Sequence, residues 1–175
     1  MVHRFDTPPR LDDRRFDSAE LEKLSSVTRK DSDNWQGRKL IVLGDRLPTG
    51  RRCYSLLDAI QLATLHGLTR RVPIGPTAAA KVATVLACYV AEQAPHDADG
   101  HPLADFNAIP RSLAYVLATR EGEWFLDRVS LSSGYANFAG PWGRAHIVLP
   151  IAELVADVLS RLLELVHAQV PETVA

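Results

Sequence analysis

His96, Asp97, Asp99 and His101 are of the types that ligate a transition metal, through imidazole nitrogens and carboxylate oxygens. They stand in Gln93-Ala94-Pro95-His96-Asp97-Ala98-Asp99-Gly100-His101-Pro102, a polar run whose Gly and Pro mark a loop, and no further cluster completes a site. No metal and no cofactor are expected. Cys53 and Cys88 lack metal-like spacing and read as reduced, half-buried thiols of a cytoplasmic protein. There is no Gly-rich phosphate loop, no Gly-x-Ser-x-Gly elbow and no Cys/His pair in a telling setting. Glu121, Glu123 and Asp127 flank a turn and a strand, as in an exposed hairpin. No catalytic residue is assigned, and an enzyme is not expected.

The chemistry that does concentrate is that of binding a polyanion. From Thr28 to Tyr54 there are 7 basic residues (Arg29, Lys30, Arg38, Lys39, Arg46, Arg51, Arg52) and 3 acidic ones (Asp31, Asp33, Asp45). Arg forks onto guanine and Asn pairs bidentately with adenine, so Arg29, Lys30 and Asn34 suit base edges or phosphates. The bland alternative is a solvated helix face, because Asp31 and Asp33 dilute the charge. Net charge over the 175 residues is −1, but residues 1–93 carry 15 Lys/Arg against 11 Asp/Glu (+4) and residues 94–175 carry 5 against 10 (−5). A basic binding half joined to an acidic partner half has this asymmetry.

The elements that must position these residues are short. Asp17 or Ser18 caps a helix containing Leu21 and Leu24, Ser25-Ser26-Val27 breaks it, and a second helix starts near Thr28. Two short helices about such a turn form a helix-turn-helix, whose second helix enters the major groove. Lys39-Leu40-Ile41-Val42-Leu43 is a strand candidate, Gly44 to Gly50 a turn-rich connection, and Arg51-Arg52-Cys53-Tyr54 the returning strand, with Arg46, Arg51 and Arg52 at a basic hairpin tip. Phosphate contacts from such a tip supply affinity and register. Ser55-Leu56-Leu57-Asp58 resembles a capping box and launches a helix through Gly67. Leu68 to Pro76 breaks the chain, and an Ala-rich helix follows from about Thr77 to Glu92.

A helix, turn and helix ending Trp35-x-x-x-x-Leu40-Ile41, a basic wing, Gly50-Arg51-Arg52-Cys53-Tyr54-Ser55, a Leu/Asp-rich helix, a Val72-Pro73 break and an Ala-rich helix together resemble the MerR-type winged helix-turn-helix. The resemblance covers residues 16–93. It implies a DNA-binding regulator, commonly dimeric, in which Arg51, Arg52 and Tyr54 meet the DNA backbone. Its implied partners are double-stranded DNA, a second copy of the chain, and RNA polymerase or another protein, in a bacterial, nucleoid-associated setting. Ser32 and Asp33 depart from the pattern, which commonly places an aliphatic residue and then an Arg there.

Outside that half, residues 1–15 read as a disordered arm by charge and Pro content, and residues 94–102 as a linker. Residues 103–175 read as an α+β dimerisation or sensor domain. Within it lie a hairpin (Ser112–Thr119 with Trp124–Val129), an aromatic loop from Gly134 to Gly143 that covers the core or lines a ligand pocket, and a strand at His146–Leu149. A wide amphipathic helix, Ile151–His167, suits pairing across a two-fold or packing on its own sheet. The fold class expected is mainly α with small β. No apolar run approaches membrane-spanning length, and the N-terminus lacks a signal-peptide layout. A protein-interaction adaptor of winged-helix shape that does not bind DNA is the alternative, with Asp31 and Asp33 its best support.

Overall fold

Three helix starts are fixed by local capping. Asp17 accepts from the amides of Ala19 (2.8 Å) and Glu20 (2.9 Å), while Glu20 Oε2 accepts from the Asp17 amide (2.9 Å), so a reciprocal box opens α1 (Ser18–Ser25). Ser26 ends α1 in the left-handed region, and Thr28 Oγ1 accepts the Asp31 amide at 3.2 Å to open α2 (Arg29–Gly37). Ser55 and Asp58 reproduce the box at α3 (Leu56–Arg71): Asp58 Oδ2 accepts from the Ser55 amide at 2.8 Å, and Ser55 Oγ accepts from the Asp58 amide at 3.1 Å. Pro76 stands at the start of α4 (Pro76–Gln93), where its missing N–H costs nothing.

The computed structural model describes residues 8–71, 74–105, 113–120, 123–130 and 146–169. Between α2 and α3 lies a two-stranded antiparallel hairpin, β1 (Asp45–Arg46) with β2 (Arg52–Cys53). A three-stranded antiparallel sheet follows α4, in the order β4-β3-β5, from β3 (Leu113–Arg120), β4 (Glu123–Ser130) and β5 (His146–Pro150). The chain then enters α5 (Ile151–Gln169). The protein is mainly helical with small β-sheets, as composition and periodicity imply.

One core serves the helices. Leu21 and Leu24 of α1, Trp35 of α2, Leu56, Ile60 and Leu65 of α3, Ala79, Ala83, Leu86 and Val90 of α4, and Val155, Val158, Leu159 and Leu162 of α5 are buried in a single cluster. The last helix lies against α1 and α3, and Arg161 Nη1 donates to the Leu24 carbonyl at 3.0 Å. Among its described side chains, the exposed ones are Glu153, Asp157, Ser160 and Glu164. Among the described side chains of this helix, Val155, Val158, Leu159 and Leu162 are thus buried within their own chain.

Some expectations need correction. Residues 8–15 are not a free arm. Leu11 is fully buried, its amide donates to Pro102 O (2.7 Å), and its carbonyl accepts the Leu57 amide (3.0 Å) at the start of α3. Residues 94–105 are likewise fastened rather than a linker, since the Ala104 amide donates to Pro9 O at 2.8 Å and Arg10 pairs with Leu103 in an antiparallel bridge. Lys39–Leu43 is not a strand. Its alternation is real, with Ile41 and Leu43 buried and Val42 86 % exposed, yet these residues have no strand partner and pairing starts only at Asp45. The third helix runs past Gly67 to Arg71, because Leu68 behind that glycine is buried in the core. Cys53 is half-buried as expected, whereas Cys88 is exposed. The aromatic loop from Gly134 to Gly143 lies outside the described residues. No helix among them is long and apolar enough to cross a membrane.

Candidate nucleic-acid interface

The inward face of α2 is set by two side chains. Trp35 is buried against the core, with its ring centroid 6.3 Å from that of His66, and Ser32 is buried one turn before Gln36, whose side-chain Nε2 donates to its Oγ at 3.1 Å. With 3.6 residues per turn, fixing Ser32 and Trp35 inward turns Arg29, Lys30, Asp33 and Asn34 outward, and all four are exposed. Ser32 therefore belongs to the seating of the helix, and Asp33 to its outer face.

The C-terminus of α2 carries two more of the predicted residues. The Arg38 amide donates to Asn34 O (2.9 Å) and the Lys39 amide to Gln36 O (2.9 Å), with Lys39 at φ +57°. Both side chains are exposed beside the carbonyl end of the helix, where a cation is favoured by the dipole whatever else it does.

The hairpin is held at its base and open at its tip. Gly44, at φ +63°, brings the backbone so close to Tyr54 that an added Cβ would stand 2.7 Å from the ring. Its amide donates to Asp58 Oδ1 at 3.3 Å, linking the hairpin to the cap of α3. The amides of Arg15 (3.1 Å) and Phe16 (3.0 Å) donate to Tyr54 O, and Arg14 Nη1 meets Asp45 Oδ1 at 3.0 Å. From this base Arg46, Arg51 and Arg52 extend as exposed side chains, with Arg46 and Arg52 opposite each other in register. Arg52 Nη1 donates to Gln36 Oε1, which ties the returning strand to α2.

Helix and hairpin share a cleft of about 350 Å³ lined by Asp17, Ser18, Arg29, Asp33, Arg51, Arg52 and Tyr54. Three guanidiniums thus border a space with two carboxylates. Asp17 is engaged in capping α1, and Asp33 Oδ2 lies 3.6 Å from Arg29 Nε. Asp31, the other acid of α2, accepts from the Thr28 hydroxyl at 3.1 Å and lies 3.9 Å from Arg70 Nη2. The arrangement offers a cationic, hydrogen-bond-donating surface to an anion, and the forked guanidinium matches phosphate better than an ammonium does.

Of the predicted residues, the structure joins Arg29, Arg51 and Arg52 around one cleft and keeps Lys30, Asn34, Arg38, Lys39 and Arg46 exposed around α2 and the hairpin. Tyr54 is 5 % exposed and lines the cleft at the hairpin base. Gln36 and Asp33 are the partners that sequence reasoning missed. Both sit four residues from a side chain they contact, Ser32 and Arg29, a spacing that is a legible signal on a helix.

The histidine-rich loop is occupied by protein contacts. Arg10 reaches Asp97 Oδ2 through Nε (2.6 Å) and Asp99 Oδ2 through Nη2 (2.8 Å), and His101 Nδ1 lies 2.7 Å from Asp12 Oδ2. The His101 amide foremost, and then the Arg10 guanidinium and the Asp99 amide, hold the Asp97 carboxyl below its ordinary pKa against the opposing effect of partial burial. No group of three potential metal ligands occurs among the described residues. No protein-family model matches the chain, and no curated protein matches it.

Proposed function

We propose that this chain is a sequence-specific DNA-binding regulator, with α1 and α2 forming a helix-turn-helix and the β1-β2 hairpin forming its wing. In this reading α2 lies in the major groove, where Arg29 and Lys30 of its first turn and Asn34 of its second approach base edges. Arg46, Arg51 and Arg52 lie along the backbone and supply affinity and register. The observation that carries the reading is the meeting of Arg29 with Arg51 and Arg52 at one cleft, with Arg52 tied to α2 through Gln36. A recognition helix and a wing must be held as one body to fit adjacent features of a duplex, and this tie does so.

Selection of genomic fragments by the purified chain at near-physiological salt, followed by sequencing, tests the proposal. Wild type enriches a shared motif, and the Arg51→Ala/Arg52→Ala variant does not. Enrichment by neither protein contradicts DNA recognition. It favours a protein-interaction adaptor, the reading that the exposed carboxylate of Asp33 on the outer face of α2 would then support. An inverted repeat in the motif would identify a two-fold pair of chains.

A further inference from the structure

On the outward face of α2, Arg29 and Asp33 face each other one turn apart, Nε to Oδ2 at 3.6 Å, with side chains 71 % and 65 % exposed. Helix stability does not account for this pair. A cation in the first turn opposes the helix dipole, and an acid placed C-terminal to its basic partner is the weaker of the two orders. Nor is the carboxylate needed to satisfy a buried group. Yet Asp33 shares the cleft with the cationic groups of the proposed interface, where a lone acid would repel phosphate.

Resting on the proposed function, we infer that Asp33 is a specificity-determining positioning residue that holds Arg29 for one guanine of the target site. A guanidinium reads guanine by two parallel N–H bonds to O6 and N7. A free Arg side chain samples many rotamers and pairs as readily with any nearby phosphate. Engaging Nε on the carboxylate leaves the two terminal Nη groups as the fork that reads the base, and restricts the rotamers the side chain must lose on binding. The acid also penalises close approach of phosphate to the same spot, so Arg29 is steered from backbone to base. Asp33 therefore lowers general affinity for DNA and raises discrimination.

The two effects have opposite signs, which makes the inference testable with the full chain. Fragment selection and competition binding are run on wild type, Arg29→Ala, Asp33→Ala and Asp33→Glu, with circular dichroism to verify that each folds. Asp33→Ala should bind non-specific DNA as tightly as wild type or a few-fold tighter, and lose roughly tenfold discrimination at one G·C position of the motif. Arg29→Ala should relax that same position, and Asp33→Glu should restore it in part. An unchanged motif for Asp33→Ala, or relaxation at a position different from that lost in Arg29→Ala, would overturn the positioning role while leaving DNA recognition standing. Failure of wild type to enrich any motif would overturn both.

Discussion

Gln36 and Arg52, far apart in sequence, are joined by a hydrogen bond from the Arg52 guanidinium to the Gln36 side-chain carbonyl. Gln36 in turn donates to the buried Ser32 Oγ at 3.1 Å, so the contact runs from the hairpin through the outer edge of α2 to its seated face. One contact that positions Arg52 is therefore made by a residue that carries no charge.

Replacing Gln36 with Ala should cost roughly 1 kcal/mol of stability, the worth of an ordinary side-chain hydrogen bond. DNA affinity should fall about threefold to tenfold, although no charged group is lost. Equilibrium binding to the selected motif, beside urea unfolding, checks this. Unaltered affinity would mean that the hairpin keeps its place without the tie.

Leu11 makes a second prediction. It is fully buried at the start of α3, with its carbonyl accepting the Leu57 amide. Leu11→Ala should lower unfolding free energy by about 2–5 kcal/mol, as for other buried leucines. A loss under about 0.5 kcal/mol in urea unfolding would return residues 8–15 to the status of a free arm.

The pH dependence follows from Asp97. Its carboxyl is held below the ordinary value in the folded chain, so protonation favours the unfolded state. The contribution is fully present above the ordinary Asp value of about 4, and is lost as pH falls through the lowered folded value. Urea midpoints measured from pH 7 down to pH 3 should drop less steeply at the acid end for Asp97→Asn than for wild type. Parallel acid limbs would contradict this contribution of Asp97.

For α5, Leu159→Ala and Leu162→Ala should each destabilise the chain by about 2–5 kcal/mol, because both side chains are fully buried in the core that α5 shares with α1 and α3. Sedimentation should show the same association state as wild type. A variant that keeps its stability and only dissociates would assign this face to a subunit interface.

The helices were legible because their signals are local. Asp17 and Thr28 cap, Ser55 and Asp58 exchange bonds three residues apart, and the Ala79-Val82-Ala83-Leu86-Val90 stripe repeats at helical period. The hairpin β3-β4 and the strand before α5 were likewise readable from composition and turns. What escaped is what depends on distant partners. Leu11 is a single apolar residue among charges, and nothing near it in sequence announces Pro102 or Leu57. Alternation at Ile41-Val42-Leu43 reports burial on one side, but a strand also needs a neighbour to pair with. The apolar face of α5 says that something covers it, not that α1 and α3 do. In the candidate site, residue types gave the arginines, while the burial of Tyr54 and the Arg52–Gln36 tie are tertiary facts.

The measurement that bears most directly on the central claim is the salt dependence of DNA affinity for wild type and the Arg51→Ala/Arg52→Ala variant. Each neutralised phosphate contributes about −0.9 to the slope of log K against log salt. The account predicts a steep wild-type slope that flattens by about 2 in the variant, with weaker binding to every sequence. Equal slopes for the two proteins, or negligible wild-type binding even at low salt, would contradict it.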